Sequence, residues 1–394
     1  MKNEFNKILA LIAVALVIFA VDFYWDNLRG ASTVFSGPKK DIVTLLDDSS
    51  KEITNSTDFP LNLPAGFKIE IFAKNVDGAR DMAFDGFGNL WVSRSKSSAV
   101  TLLEIKNGKV VSQNDIFKNL DTPHGLAIDP DNDLMLYIAE ENRVSRVALY
   151  SEDRLNKVLD LPTPIFGGHT SRTIRFGPDG RLYISVGSTC NVCQEKDPRF
   201  AAMYSVNKDG GDFQMLATGL RNSVFFDWNP GDDKLWATDM GRDRLGDNIP
   251  PDEINLVEQG NDYGWPYCYG RNIMDPFNTF GVACSTKTPS KVDLPAHSAP
   301  LGIGFVPATK AWPEEMQGNM IVAFHGSWNR SEPTGYKLVR VVVDDQNNFV
   351  GIHDFITGWL QDGEALGRPV GVLFRDGALY VSDDFAGVIY KITY

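Results

Sequence analysis

One sequence pattern recurs six times along this chain and constrains its fold more than any other feature. Each copy has a short apolar run, a tight turn and a second apolar run, which is typical of a β-hairpin. Further short strands, such as TLLEI and YKLVRVVV, follow most copies. The copies are MAFDGFGNLWVSR, LAIDPDNDLMLYIAE, IRFGPDGRLYISVG, VFFDWNPGDDKLWATD, IGFVPATKAWPEEMQGNMIVAFHG and VGVLFRDGALYVSDD.

The spacing of these hairpins predicts an all-β fold, the six-bladed β-propeller. Six units of about four strands each are what that fold requires, whereas a sandwich or a simple barrel does not repeat a hairpin in this way. No segment from residue 61 onward shows a long helical stripe. The propeller is expected to span residues 61–394, after a polar, broken segment at residues 31–60 that is typical of a linker. The turns lie at Asp85, Asp129, Asp179, Pro230, Pro307 and Asp376.

The first 30 residues predict export as a signal peptide or membrane anchor. Lys2 and Lys7 precede an unbroken apolar run, Ile8 to Val21, and aromatic residues follow it. The run is shorter than the ~20 residues of a spanning helix. Its cleavage site ending at Ala20 is poor, however, and the aromatic residues are typical of a membrane interface. We interpret residues 8–25 as a retained anchor that leaves the rest of the chain extracytoplasmic, periplasmic or at the cell surface; a cleaved signal and a buried core helix are the alternatives.

The charge of the chain argues against one class of partner. There are 51 acidic and 38 basic residues, and the net charge is −13. Such a field repels phosphate backbones. We therefore expect no nucleic-acid partner.

The four cysteines fall into two local pairs, Cys190 with Cys193 and Cys268 with Cys284. Outside the cytosol such pairs indicate disulfides. Zinc is a competing interpretation because Cys-x-x-Cys suits that metal, although the second pair lacks this spacing. Free or redox-active thiols are the third interpretation.

Basic or potentially basic residues stand at the start of every predicted inner strand. In a propeller these starts surround one mouth of the central channel, where ligands usually bind. Because acidic residues outnumber basic ones, six of six is not expected by chance. The pattern predicts a positive mouth and an anionic ligand, since arginine grips carboxylates in a bidentate way. The alternative is that these arginines pair with aspartates such as Asp81 to hold blades together. We call the following residues the basic ring: Arg80, His124, His169, Arg172, Arg221, His297 and Arg368.

Several segments resemble one known family. GHTSRTIRFGPDGRLYISVGS, GLRNSVFFDWNP, DEINLVEQGNDYGWPYCYG, HSAPLGIGFV and HGSWNR are similar to the soluble quinoprotein sugar dehydrogenases, which oxidise glucose, aldoses or sorbosone with pyrroloquinoline quinone (PQQ). The resemblance spans about residues 61–394. It implies oxidation of an aldose-type sugar at its anomeric carbon to the lactone, or of an aldehyde sugar to the acid. PQQ carries three carboxylates, which the basic ring suits.

The resemblance also implies roles for individual residues. His169 matches the general base that takes the proton of the anomeric hydroxyl while hydride passes to the quinone. Arg221 and Asn222 match residues that contact the cofactor, and Arg221 also matches one that steadies charge on the substrate. Further cofactor contacts are expected from Arg330, Arg368, Arg80 and His124.

Calcium is the second cofactor that the resemblance implies. Gly241 and Arg242 match positions whose backbone carbonyls hold the calcium that polarises the quinone. Glu253 and Tyr263 match ligands of a structural calcium. One position departs from the family, since Gly168 stands where the glucose-oxidising members have an aspartate. This departure argues against glucose as the substrate. The cysteine pairs and HGSWNR favour the sorbosone and aldose branch instead.

Two rival functions and the electron acceptor complete the hypotheses. A six-bladed propeller also suits a metal-dependent lactonase, which needs carboxylates and asparagines around calcium in the channel. A membrane-tethered ligand-binding propeller without catalysis is the other rival. Gln194 follows Cys193, so the haem motif Cys-x-x-Cys-His is absent. The acceptor is then a separate molecule, a membrane quinone or a small redox carrier.

Overall fold

The structure, a computed structural model, describes residues 2–35 and 54–394. Helices α1 (Lys2–Asn27) and α2 (Ser32–Phe35) form the N-terminal part, and strands β1 (Asn55–Ser56) and β2 (Lys68–Ala73) lead into the propeller. The central part of the predicted linker, residues 36–53, lies outside the described residues. The division at residue 60 stays a prediction.

Six antiparallel sheets of four principal strands follow, which confirms the six-bladed β-propeller. Blade 1 contains β3 (Ala79–Phe84), β4 (Leu90–Arg94), β5 (Ala99–Lys106) and β6 (Lys109–Lys118). Blade 2 contains β7 (Leu126–Asp129), β8 (Asn132–Ala139), β9 (Arg143–Ala148) and β10 (Asn156–Asp160). Blade 3 contains β11 (Arg172–Phe176), β12 (Leu182–Val186), β13 (Ala202–Val206) and β14 (Gln214–Thr218).

The later blades carry small additions. Blade 4 contains β15 (Phe226–Trp228), β16 (Leu235–Asp239), β17 (Asp252–Val257), an inserted hairpin of β18 (Cys268–Tyr269) and β19 (Ile273–Met274), and β20 (Val292–Leu294). Blade 5 contains β21 (Pro300–Phe305), β22 (Met320–Phe324), β23 (Lys337–Val343) and β24 (Phe349–Ile356). A hairpin of β25 (Leu360–Gln361) and β26 (Glu364–Ala365) precedes blade 6, which contains β27 (Pro369–Arg375), β28 (Ala378–Asp383) and β29 (Val388–Thr393). Short 3-10 helices lie at Ser95–Ser97, Cys284–Thr286 and Glu314–Met316.

The ring closes by pairing the two ends of the domain. Strand β2 is antiparallel to β29, with Lys68 opposite Thr393 and Ile71 opposite Tyr390. Blade 6 is therefore completed by an N-terminal strand, and β1 adds to its outer edge in parallel. The pairing removes two exposed sheet edges, which stabilises the closed ring.

The recurring hairpins form the two innermost strands of each blade, as expected. The turn of blade 1 shows why aspartate suits this position. Asp85 Oδ1 accepts hydrogen bonds from the amides of Phe87 and Asn89, at 2.9 and 3.0 Å. Its Oδ2 accepts from the indole of Trp91 at 2.8 Å, so one side chain closes the turn and anchors the following strand.

The hydrophobic core is divided among the interfaces between blades. Six buried clusters are present, and each lies between two neighbouring blades. Trp236 and Val322, for example, pack between blades 4 and 5. Burial of such side chains contributes roughly 1.5–3 kcal/mol each, so the blades hold one another in place and fix the channel between them.

The mouth of the channel is defined by the direction of the strands. Each inner strand begins at this mouth, and each second strand returns to it, because neighbouring strands are antiparallel. The loop between the second and third strands of a blade therefore lies at the mouth, as does the connection that enters the next blade. These loops carry most of the residues of interest.

The N-terminal segment contacts the same face. The amide of Gly30 donates to the carbonyl of Arg330 at 2.9 Å, and Arg29 Nε donates to the carbonyl of Ser331 at 3.0 Å. Thr33 Oγ1 donates to the carbonyl of Gly363 at 2.7 Å. Among the residues whose side chains the structure describes, no helix has the length and hydropathy needed to cross a membrane.

Candidate functional site

His169 lies on the connection that enters blade 3, at the mouth of the channel. Its Nδ1 is 3.0 Å from both the carbonyl oxygen and the hydroxyl oxygen of Ser188. Since the carbonyl only accepts, Nδ1 carries the proton and Nε2 keeps its lone pair. Burial, followed by the charge of Arg221, lowers the pKa of His169 to about 3. The ring is therefore neutral at ordinary pH and its Nε2 is available as a proton acceptor.

Asn222 approaches His169 across a glycine. A Cβ at Gly187 would lie 2.6 Å from both Asn222 Oδ1 and His169 Cβ, which is closer than real contacts allow. Glycine is thus needed for the two side chains to face the same space. The backbone amide of Asn222 donates to Asp239 Oδ1 at 2.6 Å, and this bond fixes Asn222 at the start of blade 4.

Arg221 is buried beside these two residues, and all five of its guanidinium hydrogens point at protein oxygens. Nε and Nη2 donate to the carbonyl and the side-chain oxygen of Asn191, at 3.0 and 2.9 Å. Nη1 donates to the carbonyls of Met240 and Gly241, at 3.2 and 3.0 Å. Nη2 also pairs with Asp243 at 3.2 Å. In this geometry Arg221 acts on a ligand through its charge and not through a free hydrogen-bond donor.

A small cavity of about 20 Å³ lies next to Arg221 in blade 4. Three carboxylates and two guanidiniums line it, so its wall is more acidic than the basic ring had led us to expect. Several of the predicted site residues meet in this wall, including both predicted pairs of calcium ligands. The lining residues that matter here are Arg221, Asp239, Gly241, Arg242, Glu253, Tyr263 and Asp275.

The carboxylates around this cavity are difficult to ionise. Burial, which is the main cause, raises the pKa of Glu253 to about 8 and that of Asp239 to about 7. The two residues lie opposite each other in strands β16 and β17, so each charge also disfavours the other. Asp252, directly before Glu253, has a pKa raised to about 7 for the same main reason. A cation in the cavity would relieve this repulsion.

The predicted calcium ligands differ in whether their oxygen atoms still have lone pairs available for a metal ion. Glu253 Oε1 accepts from the amide of Gly270 at 2.6 Å and its Oε2 from Asn255 at 3.0 Å, which leaves lone pairs on both oxygens. The hydroxyl of Tyr263 donates to the carbonyl of Leu256 at 2.5 Å, so that hydroxyl is already engaged. Arg242 pairs with Asp275 at 3.0 Å through its side chain.

Gly241 presents a second complication for the calcium prediction. Its carbonyl already accepts from Arg221 Nη1 at 3.0 Å. A guanidinium at that distance repels a divalent cation on the same oxygen. The hard oxygen donors of the wall suit calcium, but calcium on Gly241 requires Arg221 to move.

A second group of charges surrounds Asp384, which directly follows β28. Arg80 pairs with this carboxylate at 3.2 Å and His325 Nε2 lies 2.8 Å from it. Lys96 is 3.9 Å away. Burial and then the charge of Arg368 lower the pKa of His325 to about 4, so this histidine is neutral at ordinary pH. We call Arg80, Lys96, His325, Arg368 and Asp384 the Asp384 cluster.

Two arginines of the Asp384 cluster keep free donors. Arg368 uses Nε and Nη2 on the carbonyls of His325 and Gly326, and its Nη1 has no partner among the described residues. Arg80 donates to Asp384 through Nη1, and its Nε and Nη2 have no hydrogen-bond partner among the described residues. These groups are therefore able to receive an anion.

The remaining predicted residues point elsewhere. Arg172 is buried and donates to the carbonyls of His169 and Pro162, at 2.7 and 3.0 Å, so it supports the loop of His169. Arg330 donates to the carbonyls of Asp247 and Ala296. His297 Nε2 is 2.8 Å from the carbonyl of Gly246. These three hold loops together through backbone carbonyls, whereas the alternative for the basic ring had proposed pairing with aspartates.

His124 is fully buried below the mouth. Its Nδ1 lies 3.2 Å from Thr173 Oγ1, and its Nε2 has no hydrogen-bond partner in the described chain. Burial, with the charges of Arg80 and Arg175, holds the pKa of His124 well below its usual value. A buried nitrogen without a partner is costly, so this position is one at which a ligand or a water molecule would bind.

Both cysteine pairs form disulfides, which confirms that interpretation over zinc or free thiols. Cys190 is joined to Cys193, and Cys268 is joined to Cys284. Cys268 lines the cavity of blade 4, and Cys190–Cys193 encloses Asn191. Both bonds therefore stabilise loops at the mouth.

Sequence analysis missed several residues of the site. His325 lies in HGSWNR and Cys190–Cys193 in STCNVCQE, so both motifs were noticed without their role. Asp384, Asp243 and Asn191 carried no local signal, because Arg80 and Arg221, with which they pair, lie 22 to 304 residues away in the chain.

Comparison with known proteins identifies relatives across the whole propeller. A family model described as TrAA12-like matches residues 61–394. An uncharacterised protein of Borreliella burgdorferi is 32% identical over 374 residues, which cover 90% of this chain and 95% of that protein. These matches confirm the resemblance seen in the sequence.

Solved structures show the same fold. The holo form of the pyranose dehydrogenase PQQ domain from Coprinopsis cinerea aligns with a TM-score of 0.69 at 20% identity, over 85% of this chain and 97% of that one. A calcium structure of a Trichoderma reesei carbohydrate-active enzyme of family AA12 aligns with a TM-score of 0.71 at 22% identity, over 88% of this chain and 99% of that one.

Proposed function

The chain belongs to the TrAA12-like family, and we propose that it is an oxidoreductase that uses PQQ and calcium to oxidise a sugar. The substrate is an aldose, oxidised at its anomeric carbon to the lactone, or an aldehyde sugar, oxidised to the acid. The observation that carries this proposal is the neutral His169 beside Arg221, with Nδ1 bonded to Ser188 and Nε2 open. A PQQ domain among the structural neighbours supports the choice of cofactor.

The residues present fit a polyanionic quinone. Arg80 and Arg368 keep free donors for its carboxylates. His124 is less well suited, because Nδ1 donates to Thr173 Oγ1 and the buried Nε2 only accepts, which favours a hydroxyl or water over a carboxylate. Arg221 adds positive charge without a free donor. Asn222 faces the same space as His169. Arg330, which binds neighbouring loops, contributes mainly by fixing the wall of the mouth.

His169 removes the proton in this proposal. Nε2 takes the proton of the sugar hydroxyl as the bond between oxygen and hydrogen breaks, and Ser188 holds the ring in the tautomer that this requires. When bound, the quinone supplies the acceptor for the hydride, which carries the two electrons. The positive charge of Arg221 favours the negative charge that develops on the substrate oxygen.

Calcium would be held by oxygens of the blade 4 cavity. Glu253 retains lone pairs on both carboxylate oxygens, and Asp239 and Asp275 share the same wall. The resemblance assigns the carbonyls of Gly241 and Arg242 to the calcium of the cofactor, and Glu253 with Tyr263 to a second, structural calcium. A calcium on Gly241 needs the rearrangement of Arg221 noted above. Calcium in a neighbour of the same fold supports this proposal.

The location and the acceptor are part of the proposal. Two disulfides support an extracytoplasmic location, because such bonds persist in oxidising compartments. The apolar run Ile8 to Val21 supports attachment to a membrane through residues 8–25. A membrane quinone or a small redox carrier then accepts the electrons. Separation of membranes from soluble extract, followed by an antibody to the propeller, tests the attachment.

The rival functions make different demands. A lactonase needs the carboxylates and calcium but not the free donors of Arg80 and Arg368, and it needs no quinone. A binding module needs the pocket without turnover. Neither rival accounts for a histidine with one nitrogen fixed and the other open beside a buried guanidinium.

Reconstitution tests the proposed function. Purified protein is titrated with PQQ and calcium chloride while quinone absorbance is followed, and a panel of aldoses is then scanned with an artificial dye as acceptor. Saturable binding and sugar-dependent dye reduction are expected. Binding without turnover on any sugar would favour the binding module, and lactone hydrolysis without quinone would favour the lactonase.

A further inference from the structure

Asn191 makes an unusual number of contacts for a residue in a loop. Its side-chain oxygen accepts from Arg221 Nη2 at 2.9 Å and from the amide of Asp243 at 2.8 Å. Its side-chain nitrogen donates to the carbonyl of Asp243 at 3.1 Å. Its own carbonyl accepts from Arg221 Nε at 3.0 Å and from the indole of Trp265 at 3.3 Å. One residue thus supplies two of the five acceptors of Arg221.

The same short loop reaches the proposed base. The carbonyl of Cys190 accepts from Ser188 Oγ at 2.7 Å. Ser188 in turn accepts from His169 Nδ1 through its carbonyl and its hydroxyl oxygen. Residues 188–191 therefore connect the imidazole on one side with the guanidinium on the other.

The loop that carries Asn191 has no regular secondary structure. Residues 187–201 connect β12 to β13 without a strand or a helix, so a disulfide and side-chain hydrogen bonds, such as those from the amide and hydroxyl of Thr189 to Glu195, hold the loop in place of a strand ladder. Cys190 and Cys193 are joined across Asn191 and Val192. The bond restricts the conformations of the two enclosed residues, and the geometry of Asn191 depends on that restriction.

We propose that Asn191 is a positioning residue for Arg221, and that the Cys190–Cys193 disulfide keeps it in place, so that the site is complete only in the oxidised protein. The consequence for catalysis rests on the proposed function. Reduction frees Asn191, and the Arg221 guanidinium then loses two acceptors and its fixed direction. The charge beside the sugar oxygen is displaced, while the blades remain folded.

The chemical step is an ordinary thiol–disulfide exchange. A dithiol attacks one sulfur, the bond between the sulfurs of Cys190 and Cys193 breaks, and both leave as thiols after taking two electrons and two protons. The dithiol becomes a cyclic disulfide. The bound quinone takes no part in this exchange.

Substitution of Asn191 tests the positioning role. Asn191→Ala is expected to lower kcat by roughly 10- to 100-fold, since small displacements of a catalytic group have effects of this order. KM for the sugar changes less. Asn191→Asp keeps the acceptor oxygen for Arg221 and the Asp243 amide and is expected to recover part of the loss.

Asn207→Ala is the matched control. Asn207 lies in the β13–β14 turn of the same blade, and its side-chain oxygen likewise accepts from two amides, those of Asp209 and Gly211. This variant is expected to lower Tm without lowering kcat. If both variants lower kcat equally, or if Asn191→Ala leaves kcat intact, the positioning role is wrong.

Reduction tests the role of the disulfide. Pretreatment with dithiothreitol, which is removed without oxygen before quinone and dye are added because thiols reduce both, is expected to lower kcat in the wild type and in Cys268→Ser/Cys284→Ser. Cys190→Ser/Cys193→Ser is expected to be impaired already and insensitive to the reagent. Wild-type kcat in this last variant would overturn the proposal.

Amide hydrogen exchange distinguishes failure of this inference from failure of the proposed function. The Asp243 amide donates to Asn191 Oδ1, so its exchange is expected to accelerate in Asn191→Ala and on reduction, in protein without quinone or sugar. Unchanged exchange contradicts the inference even if the enzyme is active. Faster exchange in a protein that binds no quinone leaves the loop mechanism standing and refutes the proposed function.

Discussion

His169 Nδ1 lies 3.0 Å from the backbone carbonyl oxygen of Ser188, and this contact fixes which nitrogen of the ring carries the proton. Because Nδ1 donates, Nε2 keeps its lone pair and is the acceptor of the ring. The two residues lie just beyond the paired ends of β11 and β12, so the contact depends on the hairpin of blade 3.

The first prediction concerns the protonation of this ring. Burial and Arg221 lower the pKa of His169 to about 3, so the imidazole of the protein without cofactor should stay neutral down to about pH 4. Nuclear magnetic resonance of labelled histidine rings, with His169→Gln for assignment, measures this. Titration near pH 6.5, the ordinary value of imidazole, would contradict it.

The lowered pKa of His169 also makes the stability of the fold depend on pH. Because the folded state binds this proton less readily than the unfolded state, stability contributed by neutral His169 is present above pH 6.5 and is lost as pH falls from there towards 3. His169→Gln should therefore lose less stability on acidification than the wild type. Urea denaturation at pH 7 and pH 5 gives the comparison.

The second prediction separates binding from turnover at His169. His169→Ala should still bind PQQ but lose roughly 100- to 10,000-fold in kcat, the range usual for a general base. His353→Ala is the matched control, since His353 is exposed on β24. Turnover at the wild-type rate in His169→Ala would remove the proposed base.

The third prediction concerns the Asp384 cluster. Arg368→Ala removes a guanidinium with a free Nη1 and should weaken PQQ binding by about 1.5–3 kcal/mol, or roughly 10- to 100-fold. Titration of quinone absorbance measures the affinity. Arg154→Ala, at an exposed position, should leave the affinity unchanged. Equal affinities in the two variants would place the quinone elsewhere.

The fourth prediction concerns calcium. An ion that binds only the folded protein raises its stability, by about 2.7 kcal/mol at a hundred times its Kd. Calcium should therefore raise Tm, and Glu253→Gln should reduce this gain. Gln361→Ala, on the small hairpin before blade 6, is the control. A calcium response that Glu253→Gln leaves unchanged would exclude Glu253 as a ligand.

The calcium response should also depend on pH. The pKa of Glu253 is raised to about 8, so the folded protein without calcium binds this proton more readily than the unfolded chain and loses stability as pH rises from about 4.5 to 8. Calcium competes with that proton. The gain in Tm should be larger at pH 8 than at pH 5.5, and a larger gain at the lower pH would oppose the assignment.

The fifth prediction concerns the N-terminal contact. A Cβ at Gly30 would lie 2.6 Å from the carbonyl oxygen of Arg330, so Gly30→Ala should displace the segment at a cost of about 1–3 kcal/mol. Limited proteolysis should then cut the loop of Arg330 faster. Gly231→Ala, where the nearest atom is 3.3 Å away, is the control. Equal cleavage rates in Gly30→Ala and Gly231→Ala would show that the contact of Gly30 does not protect the loop of Arg330.

The propeller could be predicted because its signal is local. Each hairpin carries its own turn chemistry, as at Asp85, and its own alternation of apolar residues. Six repeats of such a unit leave few folds to choose from. The closing pair of β2 with β29 was not visible in the same way, because it joins residues at opposite ends of the domain.

The sequence predicted the residue types of the candidate site better than the directions in which their side chains point. The basic ring named residues at the starts of the inner strands, which share one face, and one of them, His124, is fully buried. It gave equal weight to Arg80, whose donors are mostly free, and Arg172, which bends back to Pro162. The direction of a long side chain depends on which acceptors surround it, and here those acceptors come from other loops.

By itself, the sequence determined the strand pattern, the number of blades and the residue types at the mouth, because these follow from hydrogen bonding and burial over a few neighbouring residues. Only the tertiary structure decided that Asn191 supplies two acceptors of Arg221, that Asp384 gathers Arg80 and His325, and that carboxylates crowd the blade 4 cavity. Those relationships are Coulombic and directional, and they exist only once the closed ring brings distant loops within a few ångströms of each other.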